Sequence, residues 1–103
     1  MPRQHDVRIA PEASKNLDAI YTFIAQQSPQ NAAVVLERLL DGIFSLKFLP
    51  HRYKVHWRGK DRQDTVRSMP LPPFVVYYRI VEERHLVRVL TVRHGRQRRP
   101  RTF

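Results

Sequence analysis

Arginine and histidine recur through the second half of the chain in a pattern that suits anion chemistry: Arg67, Arg79, and then Arg93-His94-Gly95-Arg96. A guanidinium presents a planar fork of donors that matches phosphate oxygens. A histidine beside it adds an acid–base group that titrates near neutral pH. Gathered on one side of a sheet, these residues would bind phosphate and in principle cleave a phosphodiester. They read equally as a solvated rim, the stem of Arg79 lying along a buried strand with its head in water. Both readings stay open for Arg67, Arg79 and residues 93–96, whereas Arg88 reads as rim alone. Tyr53 and Trp57, set among cations, have the composition of a nucleic-acid patch, because rings stack on bases. Trp57 reads just as well as a plug at the core edge.

Other chemistries lack their residues. The five histidines (His5, His51, His56, His85, His94) form no His-x-x-x-His pair and flank no carboxylate at ligand spacing, so no metal site is expected. Gly42, Gly59 and Gly95 are too dispersed for a phosphate loop, and no serine stands in a nucleophile-elbow context. The chain has no cysteine, which removes disulfides, thiol catalysis and zinc–cysteine sites together. No cofactor is expected.

The elements that must position these residues follow from periodicity. Val7 and Ile9 alternate with charges in Asp6 to Ala10, a short strand. Pro11 suits a first helical position, and Ala13, Leu17, Ile20, Tyr21 and Ile24 form one helical stripe, with Lys15, Asn16, Asp18 and Thr22 off it. Ser28-Pro29 breaks the chain and caps a second helix carrying Ala33, Leu36, Leu39, Leu40, Ile43, Phe44 and Leu46, which Pro50 stops. So short a connection makes the pair an antiparallel helical hairpin. Residues 51–63 are basic, aromatic and aperiodic, and read as a loop. Asp64 to Met69 reads as a short strand. Phe74 to Val81 and Leu86 to Val92 are the strongest strand signals, joined by the hairpin-length link Glu82-Glu83-Arg84-His85. From Arg93 onward the chain is expected to be too basic to pack. The order gives an α+β fold: an N-terminal strand, a helical hairpin, then a three-stranded antiparallel meander, the hairpin covering one face of the sheet.

Composition bounds the partners. The chain has 103 residues, 42% hydrophobic, enough for a core in one domain, expected over residues 4–98 with a basic tail at 99–103. No apolar run approaches a membrane span, and Met1 to Asp6 does not read as a secretory signal, so the expected compartment is the cytoplasm. The net charge of +10 is segregated. Residues 1–50 balance five basic against five acidic side chains, while residues 51–103 hold fourteen basic and four acidic. No carboxylate follows Glu83. Such asymmetry attracts a polyanion or an acidic protein.

Taken in order, Ala13 to Ile24, Ser28-Pro29, Ile43 to Pro50, Val66-Arg67, Phe74-Val75-Val76-Tyr77-Tyr78-Arg79 and Val87 to Arg96 resemble the RelE/ParE superfamily, the toxins of type II toxin–antitoxin modules. The likeness covers about residues 5–98, and its most specific part is the strand ending Tyr-Arg followed by a final strand closing His-Gly-basic. The resemblance implies a cognate antitoxin as partner. It implies one of two targets: DNA gyrase, inhibited without catalysis, or the ribosome and its mRNA, cut by an endonuclease. The RelE-type endonuclease set has paired lysines on the second strand, an arginine opening the third, and an arginine plus a late tyrosine near the C-terminus. Here the second strand offers only Arg67, Phe74-Val75 stands at the third, and no tyrosine follows Tyr78. Those departures favour the ParE side and gyrase. Another nuclease branch relies on a C-terminal histidine, for which His94 is the candidate. On either branch, Arg67, Arg79, Arg93, His94 and Arg96 are the residues expected to contact target or antitoxin. A stand-alone nucleic-acid-binding module is the reading that charge alone supports.

Overall fold

The structure, a computed structural model, describes residues 4–59, 65–97 and 100. Strand β1 (Asp6–Ile9) leads into helices α1 (Pro11–Ala25) and α2 (Pro29–Phe44). Strands β2 (Lys54–Trp57), β3 (Val66–Leu71), β4 (Phe74–Val81) and β5 (Leu86–His94) follow. They build one five-stranded sheet in the order β1-β5-β4-β3-β2, with β1 parallel to β5 and every other pair antiparallel. This is the expected α+β fold, its meander extended by one strand.

That extra strand corrects the loop expected over residues 51–63. β2 has four residues, pairs only with β3, and its register shifts between Val55 and Trp57. A bulge in so short an edge strand erases the alternation that would betray it. At the other end β5 runs through Arg93 and His94, so these residues pack rather than begin a free tail. Of the basic tail, Pro100 is described, and its carbonyl accepts from His56 Nε2 at 3.0 Å. The expectations for residues 60–64, 98, 99 and 101–103 lie outside the described residues.

The helices start where proline and serine direct. Pro11 occupies the first turn of α1, and Ser28 Oγ accepts the Asn31 N–H at 3.2 Å to cap α2. α2 ends at Phe44, before Pro50, and two short 3-10 turns at Ser45–Lys47 and Pro50–Arg52 carry the chain onward. The buried stripe of α2 contains Ala32, Leu39 and Ile43, not Ala33 or Phe44, which are exposed. Each of those two lies one residue, about 100° of helix, from the stripe. Tyr21 is likewise turned to solvent, while Ala13 and Leu17 are buried. The stripes pack on Met69, Val76, Tyr78, Val87, Val89 and Val92, one face of the sheet. Arg38 on α2 also donates to Pro72 O at 2.8 Å, tying the hairpin to the β3–β4 turn.

Asn16, which falls off the apolar stripe, has a structural task. β5 bulges against β4: Tyr77 pairs with Thr91 and Tyr78 with Val89, leaving Leu90 extra. Asn16 Oδ1 accepts both the Thr91 hydroxyl at 2.8 Å and the Val92 N–H at 3.0 Å. A bulge strands ladder groups, and here the helix supplies their acceptor.

A second local feature ties the N-terminus down. The His5 N–H donates to Lys47 O and the Asp6 N–H to His85 O, at 3.0 and 2.7 Å. The His5 ring then lies 5.4 Å from that of His85 and 6.3 Å from that of His51, and His51 Nε2 pairs with Glu82 Oε1. Both ring nitrogens of His5 are buried without a hydrogen-bond partner. Burial holds its pKa below the usual 6.5; Glu82 opposes that shift, and His85 and His51 add to it.

Two outcomes are expected. Asn16→Ala leaves the Thr91 hydroxyl and the Val92 N–H unpaired and should cost about 1–3 kcal/mol in denaturant unfolding; Thr91→Val in the same background should recover part of it. For His5, the folded protein binds fewer protons than the unfolded chain, so its contribution is whole above pH 6.5 and lost as pH falls through the lowered value. Thermal melts of His5→Gln should therefore fall less steeply than the parent from neutral pH to about pH 5.

Candidate functional site

Alternation along β4 and β5 sorts the expected site residues onto faces. Phe74, Val76, Tyr78 and Ile80 pack in or against the core, which puts Val75, Tyr77, Arg79 and Val81 on the outer face, away from the helices. Arg79 sits opposite Arg88 of β5 and Val66 of β3, and Arg93 opposite Val75. The structure therefore brings Arg79 and Arg93 onto one face, joined by Arg88. Both are half-buried, and the Nε of each is buried without a partner. Toward β2 the outer face is closed: Tyr77 is 4% exposed, and its ring meets the His56 ring edge-on at 4.8 Å.

Arg67 does not join them. It lies opposite Tyr78, in phase with the helix side of the sheet. Its guanidinium donates to the carbonyls of His51 and Tyr53, at 3.1 and 2.8 Å. The Tyr78 hydroxyl donates to Pro50 O in the same segment. Burial pushes the Tyr78 phenol far above its ordinary pKa, so it stays a hydrogen-bond donor even in alkaline solution. Arg67 and Tyr78 thus pin the irregular stretch that delivers β2. The sequence marks Arg67 as a lone cation on a strand; it does not mark that two carbonyls wait for it.

His94 also faces away from Arg79 and Arg93. It lies opposite Phe74, and its ring meets the Phe74 ring edge-on at 5.6 Å. Nδ1 accepts the Arg96 N–H at 3.0 Å, and the His94 N–H donates to Gln97 Oε1 at 2.7 Å. Arg96 is exposed in the turn after β5. The expected cluster of residues 93–96 is therefore split: Arg93 outward, His94 toward the helices, Arg96 in solvent. Proton transfer and phosphate clamping are not assembled at one point.

His94 instead borders an apolar groove of about 760 Å³ between the helical hairpin and the sheet, lined also by Ile20, Phe23, Ile24, Val35 and Phe74. Phe23 is 73% exposed there. The exposed ring extends the apolar lining of the groove onto the surface. Periodicity alone hides it, since Ile20 and Ile24 belong to the stripe that reads as core. Among the described residues no group of three His, Asp or Glu could hold a metal ion, and no helix is long and apolar enough to cross a membrane. The arrangement provides an apolar groove on one side and a cationic face on the other, both suited to binding.

Known proteins share this architecture. A chain of the chromosomal ParDE toxin–antitoxin system from P. aeruginosa matches with TM-score 0.69 at 17% identity, over 90% of this chain and 98% of that one. The archaeal RelE–RelB complex from Pyrococcus horikoshii gives TM-score 0.65 at 15% identity, over 91% and 99%. The RelBE2 toxin–antitoxin complex from Mycobacterium tuberculosis gives 0.61 at 24%, over 88% and 98%. At such identities the likeness is one of fold. No curated sequence relative matches. A family profile described as the ParE toxin of the type II toxin–antitoxin system parDE matches residues 7–99, nearly the whole chain, and the protein accordingly belongs to the ParE toxin family.

Proposed function

We propose that this toxin inhibits DNA gyrase by binding, without cutting a nucleic acid, and that a cognate antitoxin neutralises it in the cytoplasm. The separation of His94 from the arginines carries the reading. Phosphodiester cleavage needs acid, base and phosphate clamp to converge on one phosphodiester, and His94 stands on the opposite side of the sheet from Arg79 and Arg93. Tyr78 holds its proton and is buried. The endonuclease set is incomplete in the sequence as well, and each such group ordinarily contributes about 10²–10⁴-fold.

The antitoxin reading rests on the family and on the groove. The ParDE and RelBE structures of similar fold are toxin–antitoxin systems, and this chain leaves a hollow beside Phe23 that one apolar anchor can fill. A segment leaving that groove past His94 meets the turn that carries exposed Arg96, so an acidic stretch beside the anchor gains that contact. Ordering a disordered segment costs part of that gain.

Purified toxin should block gyrase supercoiling while leaving mRNA intact on a translating ribosome, and His94→Ala should reduce toxicity only modestly. Codon-positioned cuts with undisturbed supercoiling would instead assign the endonuclease function. For the antitoxin, Phe23→Glu should weaken binding about ten- to a hundred-fold, the loss expected for one buried phenylalanine, without lowering gyrase inhibition. Raised salt should slow antitoxin association more than it speeds dissociation, as rim charges act on encounter.

A further inference from the structure

The register of the sheet lines up arginines that are far apart in sequence. Arg8 on β1 pairs with Arg88 on β5, and Arg88 pairs with Arg79 on β4. Adjacent strands lie about 4.8 Å apart, so three guanidinium stems leave the outer face in one row across three strands. Like charges directly opposite one another on a sheet are destabilising. Among the described residues none of the three is relieved by an ion pair. At the β1 edge the row opens into a hollow of about 440 Å³ whose lining includes Arg8, Arg84 and Arg88 together with Asp6. Asp6, the one carboxylate there, forms no ion pair with any of them.

We propose that this row and hollow form a docking track for the phosphodiester backbone of a nucleic acid. One phosphate is satisfied by one or two guanidinium forks. Here Arg8, Arg88 and Arg79 stand in one row across the face, Arg84 lines the hollow at its β1 end, and Arg93 lies farther along the face, which suits a ligand of repeated negative charge. An acidic protein segment is the poorer fit, because protein partners draw most of their affinity from buried apolar anchors. The apolar groove lies across the sheet from the row, beside Phe23 and Phe74. Backbone contacts of this kind orient a nucleic acid without reading its sequence. The track goes beyond the toxin reading and is independent of it, since it needs neither gyrase nor ribosome.

The test is the salt dependence of binding. Fluorescence anisotropy of a labelled duplex and a labelled single strand of the same sequence is followed against full-length toxin over a range of salt concentrations. Replacing the three arginines of the hollow (Arg8→Gln, Arg84→Gln, Arg88→Gln) should remove three phosphate contacts. The slope of log K against log salt should then become less negative by about 2.7 on duplex or about 2.1 on single strand. The unfolding temperature should hold or rise, because repulsion is relieved. If the triple variant fails to fold, Arg84→Gln in the exposed β4–β5 link should alone remove about 0.7–0.9 from the slope. An unchanged slope in folded variants would overturn the proposal, placing any nucleic-acid binding elsewhere. So would displacement of the labelled nucleic acid by polyglutamate as efficiently as by unlabelled nucleic acid at equal charge concentration, which would mean that the row takes any polyanion, acidic protein included.

Discussion

The hydrogen bonds that Asn16 accepts from the β5 bulge decide how the rest of this molecule is presented. Strand alternation has a period of two, so inserting one residue exchanges the faces of everything beyond it. Before Leu90, Val87 and Val89 face the helices; after it, Val92 packs in the core, and His94 follows in the same phase. Without the extra residue Arg93 would point into the core and Val92 toward solvent. Asn16 holds the bulge from the first helix, accepting from Thr91 and Val92. One side-chain amide on α1 therefore supports both the closure of the core and the outward placement of Arg93.

The bulge also separates two kinds of surface that the charge distribution alone would merge. On the helix side, the groove beside Phe23 is apolar and carries His94 at its border. On the outer face, Arg8, Arg88 and Arg79 stand in register, with Arg93 farther along. Apolar burial supplies affinity without much direction, whereas charge supplies fast encounter and orientation. A toxin that must meet both a target and a neutraliser benefits from having these two on opposite sides, because occupation of one need not cover the other. The same separation keeps the imidazole of His94 away from the guanidinium groups of Arg79 and Arg93, and the proposed non-catalytic reading rests on it.

Some of the basic character serves the fold. Arg67 donates to the His51 and Tyr53 carbonyls, and Tyr78 donates to Pro50 O, so the irregular segment between α2 and β2 has its backbone acceptors filled from the sheet. Buried carbonyls left without donors are costly, and a long cationic side chain reaches several at once. At the N-terminus, three histidines converge around the start of β1, and burial disfavours the charged form of His5. Net charge by itself distinguishes none of these roles.

Much of the architecture was legible in the residues. The Pro11 and Ser28-Pro29 starts, the 13–17–20–24 stripe and the β-branched runs of β4 and β5 are local signals, and local chain geometry sets them. The order of motifs from Ala13 to Arg96 likewise carried the family. What the sequence could not express was register. Whether Arg67 shares a face with Arg79 depends on pairing between strands, and whether Arg93 shares one with His94 depends on a bulge stabilised from 76 positions away. The partnership of Arg8 with Arg88 arises because β5, reached after two helices and three strands, pairs in parallel with β1. β2 escaped notice because four bulged residues hold no readable period. Side-chain type and spacing are properties of the chain, but which side chains become neighbours is decided by long-range hydrogen bonding and packing, which only the folded sheet contains.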